Sequence, residues 1–227
     1  MASIRDNYKR LRELIPEDVS IVVASKTRTL EEIEEVIEAG ATIIGENYVY
    51  PEALNKYISL GEIAKKVKWH LIGPLQKNKI NKALQMFNLI QTIDSLKISK
   101  EINKRANKAG KSVIQVLLEI NSGREETKSG FPPDFEVIKN VILEMEKLKN
   151  INIRGLMTMG PMFGDPENAR VYFKITKDLF ERIKDIKTKK CKMEILSMGM
   201  SNSYRVAIEE GSNMVRIGTL IFGERVK

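Results

Sequence analysis

Eight stretches of this chain are near-continuous apolar runs rich in β-branched residues, and each is divided from the next by a longer segment of helical period. The runs lie at 20–25, 42–47, 68–73, 89–94, 113–121, 153–159, 194–199 and 214–223. A strand that is apolar on both faces must be covered on both, and a parallel sheet flanked by helices provides that. Between the runs, LEEIEEVIEAG has Gly40 as its stop, SLKISKEINKRANKAG is opened by Ser95 and closed by Gly110, and PDFEVIKNVILEMEKLKN continues the pattern. A further helix is expected near 3–14, ahead of the first strand. Eight such units can close into a (β/α)8 TIM barrel of the α/β class with an extra N-terminal helix; an open doubly wound sheet is the alternative. No linker, low-complexity tract or repeat interrupts the pattern, so residues 1–227 are expected to form one domain.

Composition narrows the function classes. With 42% hydrophobic residues in 227 there is material for one sizeable core. No apolar run approaches the length needed to cross a bilayer, and the opening MASIRDNYKRLRELIPED is too charged for a signal peptide, so a cytoplasmic protein is expected. The lone Cys191 cannot form an internal disulfide, no Cys/His cluster offers a zinc site, and the thiol is expected to be inert. The formal charge of +8 favours anionic ligands, whether nucleic acid, a phosphorylated small molecule or a membrane surface. Its densest parts, at 64–68, 76–82 and 187–192, fall in or beside helical patterns and read as solvated faces. There is no nucleic-acid motif and only one Trp, so nucleic acid is not the expected partner; salt-steep affinity would argue otherwise.

Barrel chemistry sits where strands end, at the C-terminal mouth. In IVVASKTRT, Val22, Ala24 and Lys26 share one face of a strand, which brings Lys26 into that mouth. A partly desolvated lysine is a neutral amine able to form a Schiff base with an aldehyde; the alternative is a lysine that opens a loop and snorkels to water. The second run ends at Asn47. The seventh ends in SMGMSN and the eighth carries VRIGT, so Ser201, Gly218 and Thr219 look like a phosphate cradle, with barrel packing and helix capping by Ser201 or Asn202 as alternatives. Arg216 interrupts the apolar run MVRIGTLIF, so it either faces inward with a partner or lies on a poorly covered edge, and in an extended strand it shares a face with Gly218. A Schiff-base lysine, a phosphate cradle and an arginine able to donate to a ring nitrogen together describe pyridoxal phosphate.

Other signals are weaker. AGKS at 109–112 lacks the first glycine of a phosphate loop, because Arg105 stands in its place, and it ends a helix. His70, the one histidine, lies within a strand and reads as structural. Met157, Met159, Met198 and Met200 alternate near strand ends, where some can wall a pocket.

VVASKTRTLEEIEEVIEAGATIIGENYV, WHLIGPLQKNK, RGLMTM and LSMGMSNSYRVAIEEGSNMVRIGTLIFGER closely resemble the YggS/PROSC-type pyridoxal-phosphate homeostasis proteins, which look like the barrel domain of alanine racemase standing alone. The resemblance implies that Lys26 carries the internal aldimine, Arg216 meets the pyridine nitrogen, and Ser201, Gly218 and Thr219 hold the phosphate. It places Asn47 beside the ring and Ser197 and Met157 at pocket-lining positions. The chain departs from the family at Ser203, where aspartate is common, and in YPEA after GENYV, which alters the start of the next helix. A cation at the pyridine nitrogen disfavours its protonation and leaves the ring a poorer electron sink. Racemases of this fold add a tyrosine from a second domain, and none is expected here because the sequence stops just after the eighth run. A monomeric protein that buffers pyridoxal 5'-phosphate and delivers it to dependent apoenzymes is therefore expected, with little or no catalysis. The alternative is a slow racemase using Tyr48 as its second base.

Overall fold

The computed structural model describes residues 3–110, 113–125, 127–161 and 164–224. Its strands are β1 (Ser20–Ala24), β2 (Ile43–Glu46), β3 (Lys68–Leu71), β4 (Leu89–Ile93), β5 (Ile114–Ile120), β6 (Ile151–Thr158), β7 (Cys191–Met200) and β8 (Met214–Ile217). All pair in parallel in chain order, and β8 pairs back onto β1 from Ser20↔Met214 to Val23↔Ile217. That last ladder closes the barrel and excludes the open sheet. Around it lie α1 (Ile4–Leu14), α2 (Leu30–Glu38), α3 (Leu54–Leu60), α4 (Ile80–Met86), α5 (Leu96–Lys108), α6 (Phe135–Glu146), α7 (Arg170–Lys184), α8 (Tyr204–Glu209) and α9 (Thr219–Phe222). None of the described helices is long and apolar enough to cross a membrane.

Local chemistry sets the element ends. Thr29, Ser95 and Asp134 cap α2, α5 and α6 by accepting hydrogen bonds from the amides of Glu32, Ile98 and Val137. Gly40 and Gly110 follow α2 and α5 with φ of +107° and +64°, the left-handed turn that ends a helix at least cost in glycine.

The run at 214–223 is not one strand. β8 stops at Ile217, and the apolar residues beyond Gly218 turn as α9, burying Ile221 and Phe222. The Asn7 side chain of α1 donates to the Ile221 carbonyl at 3.1 Å. Covering by α1 thus explains apolar residues that no sheet pairing requires. β6 begins at Ile151, two residues before the expected start, and carries a bulge at Gly155. Its φ is +152°, and an added Cβ would lie 1.8 Å from the Ile195 carbonyl oxygen of β7. The register of β6 slips against both neighbours here, so glycine lets the barrel bend at this point.

Strand alternation divides the core into two layers. Val23, Ile44, Leu71, Ile90 and Leu118 face outward and meet helix residues such as Ile33 and Phe173. Val22, Ile43, Ile72 and Met214 form one inner cluster, and Leu89, Leu117 and Met157 form another. Each fully buried side chain of this size contributes about 1.5–3 kcal/mol. The inner layer is not wholly apolar, and its polar members define the candidate site.

Candidate functional site

Arg216 of β8 is buried inside the barrel. One terminal nitrogen donates to the Ser197 carbonyl at 3.0 Å and to the Ser197 hydroxyl at 2.7 Å, and the other donates to the Thr158 carbonyl at 2.8 Å. The Ser197 hydroxyl donates in turn to Gln91 Oε1 at 2.7 Å, and Gln91 Nε2 lies 3.0 Å from His70 Nδ1. Guanidinium can only donate, which fixes the direction of the chain. Ser197 accepts from arginine and donates its own O–H to the amide oxygen, so the amide nitrogen donates and His70 Nδ1 must accept. His70 is therefore neutral, with its proton on Nε2. Burial, with a smaller contribution from Lys68, lowers its pKa to about 3, in keeping with that tautomer. The chain crosses from β3 through β4 and β7 to β8 and locks the Arg216 guanidinium in one pose.

A pH dependence follows from His70. Its folded pKa is depressed, so its contribution to stability is present above the unfolded value and is lost as pH falls from about 6.5 toward 3. Between about pH 7 and pH 5 the wild type should lose about 2 kcal/mol more unfolding free energy than His70→Gln. Urea titrations of both proteins at the two pH values check this, and equal losses would contradict it.

Above this chain lies the mouth. β1 is flanked by β8 and β2, with Val22 level with Arg216 and Ala24 level with Gly45. Lys26 and Asn47, each two residues further on, are half-buried at adjacent strand ends. Gly73 lets the backbones after β2 and β3 touch, because a Cβ there would sit 2.3 Å from the Asn47 carbonyl oxygen. On the other side of β1, the Ser201 hydroxyl accepts from the amides of Gly218 at 3.2 Å and Leu220 at 3.5 Å. An added Cβ at Gly218 would approach the Ala24 carbonyl oxygen to 3.2 Å, so this bend stays open through the absence of a side chain. Thr219 is exposed at the start of α9. Met157 is fully buried in the inner layer, level with Ser197. The fold thus gathers Lys26, Asn47, Ser201, Gly218 and Thr219 at the strand ends and sets Met157, Ser197 and Arg216 beneath them.

The loop that carries Lys26 is clamped by α3 and the segment that leads into it. Lys56 Nζ of α3 donates to the Ser25 carbonyl at 2.9 Å, to Glu46 Oε1 at 2.8 Å and to Glu52 Oε1 at 2.9 Å. The Ser25 hydroxyl donates to Glu46 at 2.7 Å, the Thr27 amide donates to Glu52, and the Thr27 hydroxyl donates to the Lys26 carbonyl at 2.6 Å. Thr27 has φ of +66°, a left-handed conformation unusual for a β-branched residue, and the clamp holds it there. Glu46 is fully buried and its second oxygen has no hydrogen-bond partner. Burial raises its pKa, opposed first by the charge of Lys56. The YPEA departure supplies Glu52, and so forms part of the clamp.

Other expectations resolve as follows. Ser203 is buried at the start of α8, where its hydroxyl accepts from the Met200 amide at 3.3 Å. It, rather than Ser201 or Asn202, holds the N-cap position of that helix. Met198 belongs to the outer core. Burial pushes the Cys191 thiol up to about 12, which leaves little thiolate to react. Tyr48 is 58% exposed. Lys111 and Ser112 of AGKS lie outside the described residues. Gln91, Glu46, Lys56 and Glu119 are absent from the expected set; Gln91 and Glu119 carried a readable signal, as polar residues within apolar runs.

The family described as alanine racemase, N-terminal domain, matches residues 1–226. A pyridoxal phosphate homeostasis protein of Aquifex aeolicus is 41% identical over 203 residues, covering 89% of this chain and 85% of its own. The chain belongs to this family. Its pyridoxal phosphate homeostasis branch includes an Escherichia coli relative 35% identical over 213 residues, covering 92% of this chain and 87% of its own. Among solved structures, PipY of Synechococcus elongatus with pyridoxal phosphate bound superposes with a TM-score of 0.86 at 27% identity, over 97% of this chain and all of that one. Alanine racemase of Clostridium difficile shares the fold with a TM-score of 0.78 at 19% identity, over 99% of this chain and 56% of its own.

Proposed function

We propose that the chain binds pyridoxal 5'-phosphate reversibly through a Schiff base to Lys26 and serves its homeostasis, holding the cofactor and delivering it to dependent apoenzymes, with little or no turnover of its own. The observation that carries this reading is Arg216, a buried cation locked in one pose at the end of the barrel where a half-buried lysine and a glycine-opened pair of amides converge. The names of the relatives and the bound group of PipY support it.

The donor set fits such a ligand. The amides of Gly218 and Leu220, now satisfied by the Ser201 hydroxyl, are the groups an anion would share, with Thr219 at the rim. Arg216 presents a donor for a ring nitrogen, and Met157 and Asn47 offer an apolar wall and a polar neighbour. When bound, the group supplies an aldehyde carbon to which a neutral amine adds with loss of water. Lys26 supplies that amine, and the clamp through Lys56, Glu46 and Glu52 holds its loop in place. Because Arg216 cannot accept a proton from a ring nitrogen, it holds that nitrogen in its unprotonated state, which suits carriage better than carbanion chemistry. On this reading residues 1–227 act as one barrel, as a monomer in the cytoplasm.

A slow racemase is the second reading, favoured by one observation: Tyr48 stands exposed one residue beyond Asn47, where a phenol can reach a ligand in the mouth. Racemisation of L-alanine and other amino acids in the presence of pyridoxal phosphate distinguishes the two. The homeostasis reading expects no turnover above that of Lys26→Ala, whereas turnover lost in both Lys26→Ala and Tyr48→Phe would replace it with the racemase.

A further inference from the structure

Glu119, near the end of β5, belongs to no part of the arrangement described so far. It is level with Met157, which is level with Ser197, and it lies between Leu118 and Ile120, both of which face the outer core. Its side chain therefore projects to the inner face, as that of Leu117 does. It is 6% exposed, and among the described residues no hydrogen bond ends on its carboxyl. Arg216 directs three of its five N–H donors to Ser197 and Thr158 and none to Glu119. A mostly buried acid that faces the chamber holding Arg216 and keeps only a remnant of contact with solvent is a group that a ligand in the mouth would cover.

The charged groups that act on it are few. Asp94, just after β4, repels its anion, and Arg216 of β8 attracts it. β6 presents Met157 and Thr158, which do not titrate in this range. His70 is neutral and deeper, level through Leu89 with Gln115, four residues nearer the start of β5. Lys26 is a further cation at the mouth. Burial, reinforced by Asp94 and opposed by Arg216, pushes the Glu119 carboxyl up to about 7. Near neutrality the acid thus sits between its two forms, and removing its last contact with water favours the neutral one.

We propose that Glu119 is a ligand-facing acid of the barrel mouth that is driven to its fully protonated form when an aromatic, phosphate-bearing ligand covers it. The inference rests on the cofactor reading above and adds a residue and a proton to it. Lys26 chemistry has its own pH dependence, so the probe is pyridoxine 5'-phosphate, which has no aldehyde to condense with an amine. Calorimetric titration in two buffers of different ionisation enthalpy counts protons. The wild type is expected to take up protons near neutral pH and to lose about tenfold in affinity between about pH 6.5 and 8.5 relative to Glu119→Gln. The ionisation of the phosphate is common to both proteins and cancels in the comparison. Identical proton counts and pH profiles for the two proteins overturn the proposal while leaving the cofactor reading intact.

A ligand-free measurement separates the remaining case. The folded pKa of Glu119 is raised, so the advantage of its neutral form is present below the unfolded value of about 4.5 and is lost as pH rises through about 7. The unfolding free energy of the wild type should fall over that window relative to Glu119→Gln. If neither protein binds the probe or pyridoxal phosphate, the cofactor reading fails and this inference fails with it. A flat stability difference also overturns the inference, whatever the ligand does.

Discussion

Lys56→Met lowers the unfolding free energy by about 3–5 kcal/mol, the cost of leaving one half of a buried ion pair without its partner. Lys56 joins α3 to the ends of β1 and β2 through Ser25, Glu46 and Glu52, all at 2.8–2.9 Å. Glu46 is fully buried, and the ammonium is the first influence holding its pKa down against burial. Without it, Glu46 must protonate or stay charged in an apolar layer. The double variant Glu46→Gln/Lys56→Met should recover much of the loss, since replacing both partners removes the unpaired charge. Urea denaturation of the three proteins checks both statements. A loss below about 1 kcal/mol in the single variant would place the pair in a solvent-relaxed setting worth no more than a surface bridge. Loosening of the Lys26 loop should accompany the loss, because Thr27 keeps its left-handed conformation through the same cluster.

Arg216→Met separates binding from folding. Burial lowers the arginine pKa to about 10, with Glu119 opposing, which marks the guanidinium as costly to keep inside the barrel. An apolar side chain of similar length relieves that cost and gives up hydrogen bonds to Ser197 and Thr158. The net change in stability should therefore be smaller than that of Lys56→Met. Affinity for pyridoxal phosphate should fall about 10- to 100-fold, the worth of one charge-assisted hydrogen bond to the ring nitrogen. Fluorescence titration gives the affinity and urea denaturation the stability. Unchanged affinity would remove Arg216 from the ring site.

Much of this arrangement is legible in the sequence, for definite reasons. Strands buried on both faces leave continuous apolar runs, and following the period of β1 from Val22 and Ala24 directs attention to Lys26, which the structure sets half-buried in the turn just beyond the strand end. Arg216 stands out as a charge inside such a run. Gln91 in LIQTI and Glu119 in VLLEI bear the same mark and belong to the same chamber; Gln91 draws less notice because it carries no charge, and Glu119 because it stands one residue from the end of its strand, where a polar side chain can still reach water. The split of MVRIGTLIFG into β8 and α9 is not legible, because an apolar segment covered by α1 and one paired in a sheet have the same composition. Lys56 is one lysine among many along the chain, and only the closure of β1 against β2 and α3 reveals that its ammonium is mostly shielded from water. The bulge at Gly155 depends on a backbone approach from β7 that no local pattern encodes.

The central claim is that Lys26 carries the cofactor. Purified protein is mixed with pyridoxal 5'-phosphate, reduced with borohydride, digested and mapped by mass spectrometry, with Lys26→Ala treated in parallel. A single reduced adduct on Lys26, absent from the variant, is the predicted result. Adducts spread over surface lysines in both proteins, with none concentrated on Lys26, would contradict it.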